Sequence, residues 1–269
     1  MNFESKSQGN RWMFLFRNIG LLFPNIYKRY QNGNLTFVDS LFRRTHEPEY
    51  LALLDLLPES TNLSSIVDIG GNRGQSAKVF CRIFRPQKVY IFEPLEEMAQ
   101  ECKKVLRASS VEISVYEVAL GASESRHQIF IPSYKSVIFW GLTSHSPSHA
   151  ENFFNQDNVW CYSPGKLTIS SREVLVKSLD SYHLVVNLLK IDVEGLEVSV
   201  LHGARSTIAM SRPIVLIEVS RAYVEINEFF GLLDYVNLEL HGTSWELSQG
   251  RRLNQLFLPR EIHRSLLLS

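Results

Sequence analysis

The segment 66–74, with the sequence IVDIGGNRG, places an apolar run directly before a glycine-rich turn. A short apolar run that ends at glycines predicts a buried strand. Apolar residues at helical spacing follow from Gln75 onward, so the turn leads from a strand into a helix. Glycine permits the sharp turn and lets a ligand approach the backbone. The segment therefore predicts the first unit of a doubly wound α/β sheet, with a ligand bound at the turn.

Strand and helix patterns continue to alternate along the chain, which is typical of βαβ units and a parallel sheet. The predicted strands span residues 66–70, 88–92, 111–120, 188–193 and 213–219. The predicted helices span residues 75–84, 95–106 and 196–208. A helix around 223–233 and strand-like runs at 235–240, 244–247 and 256–259 follow, and they suit an antiparallel edge. The predicted fold class is α/β, with a mostly parallel, Rossmann-like sheet.

The sequence also divides into regions of different character. Residues 1–60 are rich in basic and aromatic side chains and are predicted to form an N-terminal helical extension before an α/β domain at 61–269. Residues 132–166 are predicted to be an inserted loop. The stretch 12–23 suits contact with a membrane surface or a protein partner, but packing on the α/β domain is favoured.

Bulk composition argues against several partners and compartments. The 269 residues carry 28 Lys and Arg against 28 Asp and Glu, so no net charge draws the chain to nucleic acid. The three cysteines lack the paired spacings of a zinc site or a disulfide framework. No apolar run reaches membrane-spanning length. We therefore expect a cytoplasmic protein that does not bind nucleic acid.

An acidic residue follows the turn at the distance expected of a nucleoside-binding fold. Glu93 ends the next strand pattern, about twenty residues after the turn, where a carboxylate accepts hydrogen bonds from two ribose hydroxyls. Nicotinamide and adenosylmethionine sites share this arrangement. The spacing G-G-N-x-G and the acidic Asp68 favour adenosylmethionine, because Asp68 would repel a pyrophosphate but not a cationic sulfonium. An NAD(P)-dependent oxidoreductase and a turn without a ligand are the alternatives.

Ionisable side chains also occupy the strand predicted at 188–193. On a strand, Lys190, Asp192 and Glu194 share one face. A central parallel strand is normally apolar on both faces, so these charges must pair or open into a cleft. Glu218 ends the next predicted strand, and parallel strands bring their carboxyl ends to one edge. We expect a functional cluster at this edge; for Lys190 the alternative is an ion pair that only fixes the strand.

Six segments in chain order give the sequence a family resemblance: VDIGGNRGQS, IFEPLEEM, VALG, SLD, LLKIDVEGLEVSVLHGA and PIVLIEVS. They resemble the motif series of the FkbM-type methyltransferase family over about residues 64–220, and KIDVEG followed by VLHGA is the most specific part. The resemblance implies a class I methyltransferase fold, S-adenosyl-L-methionine as methyl donor, and an acceptor oxygen on a sugar, glycan or polyketide. A non-catalytic partner-binding module of the same fold is the alternative, which the intact motif residues argue against.

The resemblance also implies roles for individual residues. The turn residues expected to line the donor site are Asp68, Gly70, Gly71, Asn72 and Gly74. Glu93 is expected to bind the ribose, and Ala119 and Leu120 are expected near the adenine. Asp192 and Glu194 are expected to border the methyl-transfer site.

Three positions depart from the commoner family pattern without removing a functional group. They are Gly71 in place of alanine, Ser178 in place of threonine and His202 in place of lysine. The identity of the acceptor does not follow from the motifs, because the N-terminal extension and the insert lie outside them. The aromatic insert at 132–166 is expected either to line the acceptor pocket or to be a surface unit with its own apolar cluster.

Methyl transfer to an alcohol needs a base near the acceptor oxygen. Asp192 is predicted to take the proton, while Glu194 orients the acceptor or the donor. The alternative bases are His145, His149, His202 and His241. Pro147 predicts a loop between the first two and argues against a helical metal pair. No metal is predicted, although magnesium bound by Asp192, Glu194 and Glu218 is a further alternative.

Overall fold

The computed structural model describes residues 48–107, 109–219, 222–250 and 252–268. The stretch 12–23 and most of the predicted N-terminal extension lie outside these residues. The described residues divide into two compact units. The smaller consists of residues 128–172, and the larger of residues 48–127 and 173–268 with the gaps given above. Within the described ranges, no helix is long and apolar enough to cross a membrane.

Strands and helices alternate through most of the described chain. The strands are β1 (Ser65–Ile69), β2 (Lys88–Phe92), β3 (Glu112–Tyr116), β4 (Ala119–Leu120), β5 (Ser125–Tyr134), β6 (Val137–Ile138), β7 (Leu167–Lys177), β8 (Leu188–Ile191), β9 (Ile214–Glu218), β10 (Tyr235–His241), β11 (Ser244–Leu247) and β12 (Asn254–Pro259). The helices are α1 (48–56), α2 (Gln75–Ile83), α3 (Glu96–Leu106), α4 (Pro147–Asn152), α5 (Glu197–Gly203), α6 (Arg205–Ser211), α7 (Tyr223–Leu232) and α8 (Arg260–Leu268). Short 3₁₀ helices span Trp140–Leu142, Pro164–Lys166 and Leu179–Tyr182.

The larger unit is built on an eight-stranded sheet with the order β11-β10-β12-β9-β8-β1-β2-β3. Neighbours from β9 to β3 are parallel, while β12, β10 and β11 add an antiparallel edge. After β3 the chain returns to β8 on the other side of β1, which is the switch in strand order of a doubly wound sheet. The fold class predicted from the sequence is confirmed. A second, four-stranded sheet has the order β4-β7-β5-β6.

Apolar clusters cover both faces of the large sheet. Ile66 and Val67 are adjacent in β1, so their side chains point to opposite faces, and each belongs to a different cluster. The Ile66 cluster includes Leu53 of α1 and Phe80 of α2. The Val67 cluster includes Phe230 of α7. Helix α1 is therefore part of the core of the larger unit.

Two predicted elements are each divided in the structure. The strand predicted at 111–120 forms β3 and β4, and the helix predicted at 196–208 forms α5 and α6 with a break at Ala204. Asp180 explains where α6 begins, because its carboxylate accepts the N–H groups of Ser206 and Thr207 at 3.0 and 2.7 Å. This cap comes from the SLD motif, about 25 residues earlier in the chain, so helical periodicity alone does not reveal the break.

The smaller unit has an apolar cluster of its own. Tyr134, Phe139, Phe154 and Val159 are buried together, and the rings of Phe139 and Phe154 meet edge to face with centroids 5.0 Å apart. This matches the second expectation for the aromatic insert, a unit with its own cluster. That the insert also lines the acceptor pocket stays a prediction.

A short helix replaces part of the predicted loop in this unit. Pro147 is the first residue of α4, where proline is tolerated because the first helical N–H has no partner within the helix. His145 precedes the helix and His149 lies within it. Their rings meet edge to face with centroids 5.4 Å apart.

The close packing around Gly203 explains why the VLHGA motif contains a glycine. It is the last residue of α5, and a Cβ atom added there would lie 1.9 Å from the carbonyl oxygen of Gly121. The neighbour is backbone, which cannot rotate away as a side chain can. The glycine therefore allows α5 to approach the segment after β4 closely.

We predict that Gly203→Ala lowers the free energy of unfolding by about 2 kcal/mol or more, because the added methyl group overlaps backbone. For a unit of this size the midpoint of thermal unfolding should fall by roughly 4–8 °C. Gly231→Ala is the matched control, since a Cβ atom at Gly231 in α7 meets nothing within 4 Å. Equal melting temperatures for Gly203→Ala and the unsubstituted protein would contradict the close-approach argument.

Candidate functional site

Most of the residues singled out in the sequence lie where β1, β2, β8 and β9 end. Asp68 lies on β1, Glu93 follows β2, Asp192 follows β8, and Glu218 ends β9. These strand ends flank the point at which the strand order switches, the usual position of ligands in doubly wound sheets. Residues 70–74 form the glycine turn. The edge cluster comprises Asp68, Lys190, Asp192, Glu194 and Glu218.

Backbone geometry explains the glycine at position 70. Gly70 has a φ of 80°, in the left-handed region that favours glycine. Its N–H donates to the carbonyl oxygen of Phe92 at 2.9 Å. A Cβ atom at Gly70 would lie 1.9 Å from the carbonyl oxygen of Asp192. Glycine thus lets the turn lie directly against the chain that leaves β8.

Gly71 packs closely against the side chain of Ile91. A Cβ atom there would lie 2.2 Å from Cγ2 of Ile91, a buried residue of β2. Cγ2 is attached directly to Cβ of Ile91, so the branched side chain has little freedom to move it aside. This contact accounts for glycine where the family more often has alanine.

Both carboxylate oxygens of Glu93 accept backbone hydrogen bonds, and one of these bonds comes from the glycine turn. Oε2 accepts the N–H of Asn72 and Oε1 accepts the N–H of Leu95, both at 2.9 Å. Burial raises the pKa of Glu93 to about 7, although these two N–H groups lower it in part. A carboxylate has about four lone-pair positions. Capacity therefore remains for the two ribose hydroxyls predicted from the sequence.

Cys102 supports the same turn, a role that the sequence analysis missed. The residue is fully buried on α3, and its Sγ donates to the carbonyl oxygen of Asn72 at 2.9 Å. Burial and the nearby charges of Asp68 and Glu93 raise the pKa of the thiol, which keeps it protonated as a donor. The spacing of the three cysteines carries no signal for this contact, because it joins residues 30 positions apart.

Lys190 joins β1 to the chain that follows β8. Its ammonium lies 3.1 Å from Oδ2 of Asp192 and 3.6 Å from Oδ1 of Asp68. Burial lowers the pKa of Lys190, but the two carboxylates outweigh that effect and raise it overall. The pairing predicted for the charges on β8 is therefore present.

Asp68 is buried with one oxygen lacking a hydrogen bond. Ser76 donates its hydroxyl to Oδ2 at 2.5 Å. Oδ1 accepts no hydrogen bond from the residues that the structure describes, and Lys190 lies beyond hydrogen-bond distance of it. A buried acceptor of this kind is costly unless a ligand or water satisfies it.

Glu194 and Glu218 lie near Asp192. Desolvation and the charges of Asp192 and Glu197 raise the pKa of Glu194 to about 7. Desolvation and the charges of Asp192 and Glu194 raise the pKa of Glu218 to about 7. Glu194 is not on the strand, because β8 ends at Ile191 and Glu194 has a φ of 53°. The predicted grouping of three carboxylates is present, but the turn rather than strand alternation positions Glu194.

Ala119 and Leu120 form β4 of the second sheet, where β4 pairs with β7. Leu120 is buried in the apolar cluster that contains Val118 and Leu179. Its side chain is therefore committed to the core. Ala119 is half-buried, and that the pair lies near the adenine stays a prediction.

The candidate histidines occupy separate surroundings. His145 and His149 lie in the smaller unit, His202 lies 4.0 Å from Glu225, and His241 lies 2.9 Å from the buried Glu239. None of these contacts involves the edge cluster. Among the described residues, no three His, Cys, Asp or Glu side chains are grouped in a way that could hold a metal ion.

Three residues that the sequence analysis did not single out lie beside the edge cluster, namely Glu49, Tyr50 and Asn254. Glu49 and Tyr50 lie at the start of α1, and the charge of Lys190 lowers the pKa of both side chains against a larger rise caused by burial. Asn254 begins β12 and lies opposite Glu218 in the sheet. The sequence carries no local signal for these residues, because segments about 200 positions apart meet here.

The sequence profile of the methyltransferase FkbM domain matches residues 68–244. The chain belongs to the FkbM methyltransferase family. The resemblance inferred from the motifs is confirmed, and the match contains both the glycine turn and the edge cluster.

Solved structures similar to this chain include several methyltransferases. The methyltransferase FkbM from Methylobacillus flagellatus KT is 19% identical over 81% of this chain and 52% of its own, with a TM-score of 0.47. This chain thus spans about half the length of that protein. The tRNA methyltransferase TrmK from B. subtilis is 9% identical over 79% of this chain and 64% of its own, with a TM-score of 0.40. No curated protein shows significant sequence similarity to this chain.

The residues present fit the donor that the FkbM family implies. Adenosylmethionine carries a cationic amino group, a cationic sulfonium and a ribose. Asp68 offers a buried acceptor oxygen without a hydrogen bond from the described residues. Glu93 has acceptor capacity left beside the turn. Leu120, which was expected near the adenine, does not contribute to this fit because its side chain lies in the core.

We predict that the carboxyl groups with raised pKa make the protein less stable as pH rises. Glu218 binds a proton up to about pH 7 in the folded state but only to about 4.5, its ordinary value, when unfolded. Its contribution to the free energy of unfolding is therefore greatest below the lower value and is lost as pH rises through that window. Glu218→Gln, neutral at every pH, should show a shallower fall in melting temperature between about pH 5 and 7.5.

Glu228→Gln is the matched control, because Glu228 is exposed on α7. Its melting profile should follow that of the unsubstituted protein across the same pH range. If Glu218→Gln shows the same slope as the control, burial of the Glu218 carboxyl group does not govern the pH dependence.

Proposed function

We propose that the protein transfers a methyl group from S-adenosyl-L-methionine to a hydroxyl oxygen of a sugar, a glycan or a related natural product. The observation that carries the proposal is Asp68, a fully buried carboxylate at the base of the glycine turn. Lys190 is shared between Asp68 and Asp192, so these three groups keep one negative charge. A net anion here favours cationic groups and disfavours a pyrophosphate. Membership of the FkbM methyltransferase family supports the same donor.

The glycine turn and Glu93 would hold the donor. When bound, adenosylmethionine supplies a methyl group on a sulfonium, which an oxygen displaces in line. Gly70 and Gly71 let the turn pack against the chain after β8 and against Ile91, which would fix its position beside the donor. The remaining lone pairs of Glu93 would accept the ribose hydroxyls. The free oxygen of Asp68 would accept a hydrogen bond from the amino group. The protein thus contributes mainly the positioning of two reactants.

Glu194 is the carboxylate best suited to take the proton of the acceptor hydroxyl. A general base works best when its pKa is near the working pH, and the pKa of Glu194 is about 7. Asp192 already faces the ammonium of Lys190 at 3.1 Å. We therefore assign the base to Glu194 and the orientation of the acceptor to Asp192, which exchanges the roles expected from the sequence.

The donor assignment predicts binding of adenosylhomocysteine in preference to NAD. In calorimetric titrations the protein should bind adenosylhomocysteine and leave NAD unbound. Glu93→Gln should weaken that binding about tenfold or more, because the amide cannot accept hydrogen bonds at both ends and loses charge-assisted ones. Glu228→Gln should bind as the unsubstituted protein does. Binding of NAD without adenosylhomocysteine would instead identify a nicotinamide-dependent enzyme.

The base assignment predicts distinct pH profiles for two variants. Transfer would be measured with radiolabelled donor and a panel of methyl glycosides and small alcohols. Glu194→Gln should lower kcat by about a hundredfold or more and remove the rise in rate near pH 7. Asp192→Asn should also be slow but keep a rise, which should move to lower pH because the charge of Asp192 helps to raise the pKa of Glu194. If the rise disappears in Asp192→Asn and persists in Glu194→Gln, Asp192 is the base.

A further inference from the structure

Strand register places Glu218 and Asn254 beneath the start of α1. Leu216 of β9 lies opposite Leu256 of β12, so their side chains share a face of the sheet. Glu218 and Asn254 are also directly opposed, two residues away on the same strands, and therefore share that face. Helix α1 packs on this face, since Leu53 belongs to the same apolar cluster as Leu216 and Leu256.

A short hydrogen bond ties α1 to this pair. The side-chain amide of Asn254 donates to Oε1 of Glu49 at 2.6 Å. Glu49 is half-buried near the start of α1. The carboxylate of Glu49 is therefore held next to the position where β9 ends with Glu218.

The surrounding charges connect Glu49 to the edge cluster. Burial raises the pKa of Glu49 and of Glu218, and the charge of Lys190 lowers each of them in part. The ammonium of Lys190 itself faces Asp192 and Asp68. Among the described residues, these contacts of Lys190 do not involve the carboxylate of Glu49 or of Glu218.

Both carboxylates have acceptor oxygens to offer. Within the part of the chain that the structure describes, no hydrogen bond is donated to Oε2 of Glu49 or to the side chain of Glu218. Two neighbouring carboxylates with open oxygens suit a ligand that presents several hydroxyl donors close together.

We propose that Glu49 is an acceptor-binding residue that, with Glu218, accepts hydrogen bonds from hydroxyls adjacent to the one that is methylated on a polyol. The inference rests on the proposed function and names a residue that determines its specificity. Glu49 precedes the family match, which begins at residue 68. Selection of the acceptor thus depends on a segment outside the shared domain.

Glu49→Gln tests this role while preserving the structural contact. The glutamine carbonyl can still accept from Asn254, but an NH₂ group replaces the open acceptor oxygen. With radiolabelled donor and methyl glycosides as probes, KM for the glycoside should rise about tenfold to a hundredfold, because a hydrogen bond to a charged group is lost. kcat and the Kd for adenosylhomocysteine should change by less than about threefold. Asp55→Asn, at an exposed position of α1, should change none of these values.

Deoxy glycosides separate recognition from a structural effect. Removing the hydroxyl that Glu49 binds should raise KM for the unsubstituted protein but cause little further increase in Glu49→Gln. Additive effects, or an unchanged KM in Glu49→Gln, would overturn the inference. So would transfer to none of the glycosides by a protein that binds adenosylhomocysteine. A protein that fails to bind adenosylhomocysteine would instead overturn the proposed function, and the inference with it.

Discussion

The site depends on the ion pairs that the ammonium of Lys190 makes with two carboxylates. The ammonium lies 3.1 Å from Asp192 and 3.6 Å from Asp68, and so links the segment after β8 to β1 at the edge of the sheet. A buried ion costs several kcal/mol unless it is paired. Without this cation, two carboxylates would repel each other close to where Gly70 brings the two segments together. The pair is thus both a structural link and the source of the local charge.

One shared cation leaves the remaining carboxylates incompletely neutralised. Burial and the charge of Asp192 raise the pKa of Glu194 and of Glu218 to about 7. These groups can therefore gain or lose a proton near neutral pH, which a carboxylate with an ordinary pKa does not do. Crowded carboxylates at this edge of the sheet help to raise the two pKa values, and this suits the groups to proton transfer. The same crowding lowers the free energy of unfolding.

The sequence predicted those parts of the site that depend on local pattern. The glycines of the turn and the charges at positions 190 and 192 follow from strand periodicity and turn chemistry, and the structure brings them together as expected. The break between α5 and α6 and the positive φ of Glu194 were not predictable in this way, because a distant cap and a left-handed turn determine them. Cys102 and Glu49 were missed for a related reason. Their partners, Asn72 and Asn254, are distant in sequence and leave no periodic signal.

This difference in predictability follows the division of the site that we propose between a methyl donor and an acceptor. The donor side consists of a turn and Glu93, which lie within about thirty residues and form one βαβ unit. The proposed acceptor side combines the chain after β8, the end of β9, the first residue of β12 and the start of α1. Substitutions in α1 or β12 can alter the acceptor side without disturbing the hydrogen bonds that hold the glycine turn. With the donor and acceptor placed as proposed, the fold allows acceptor specificity to vary while the donor site stays constant.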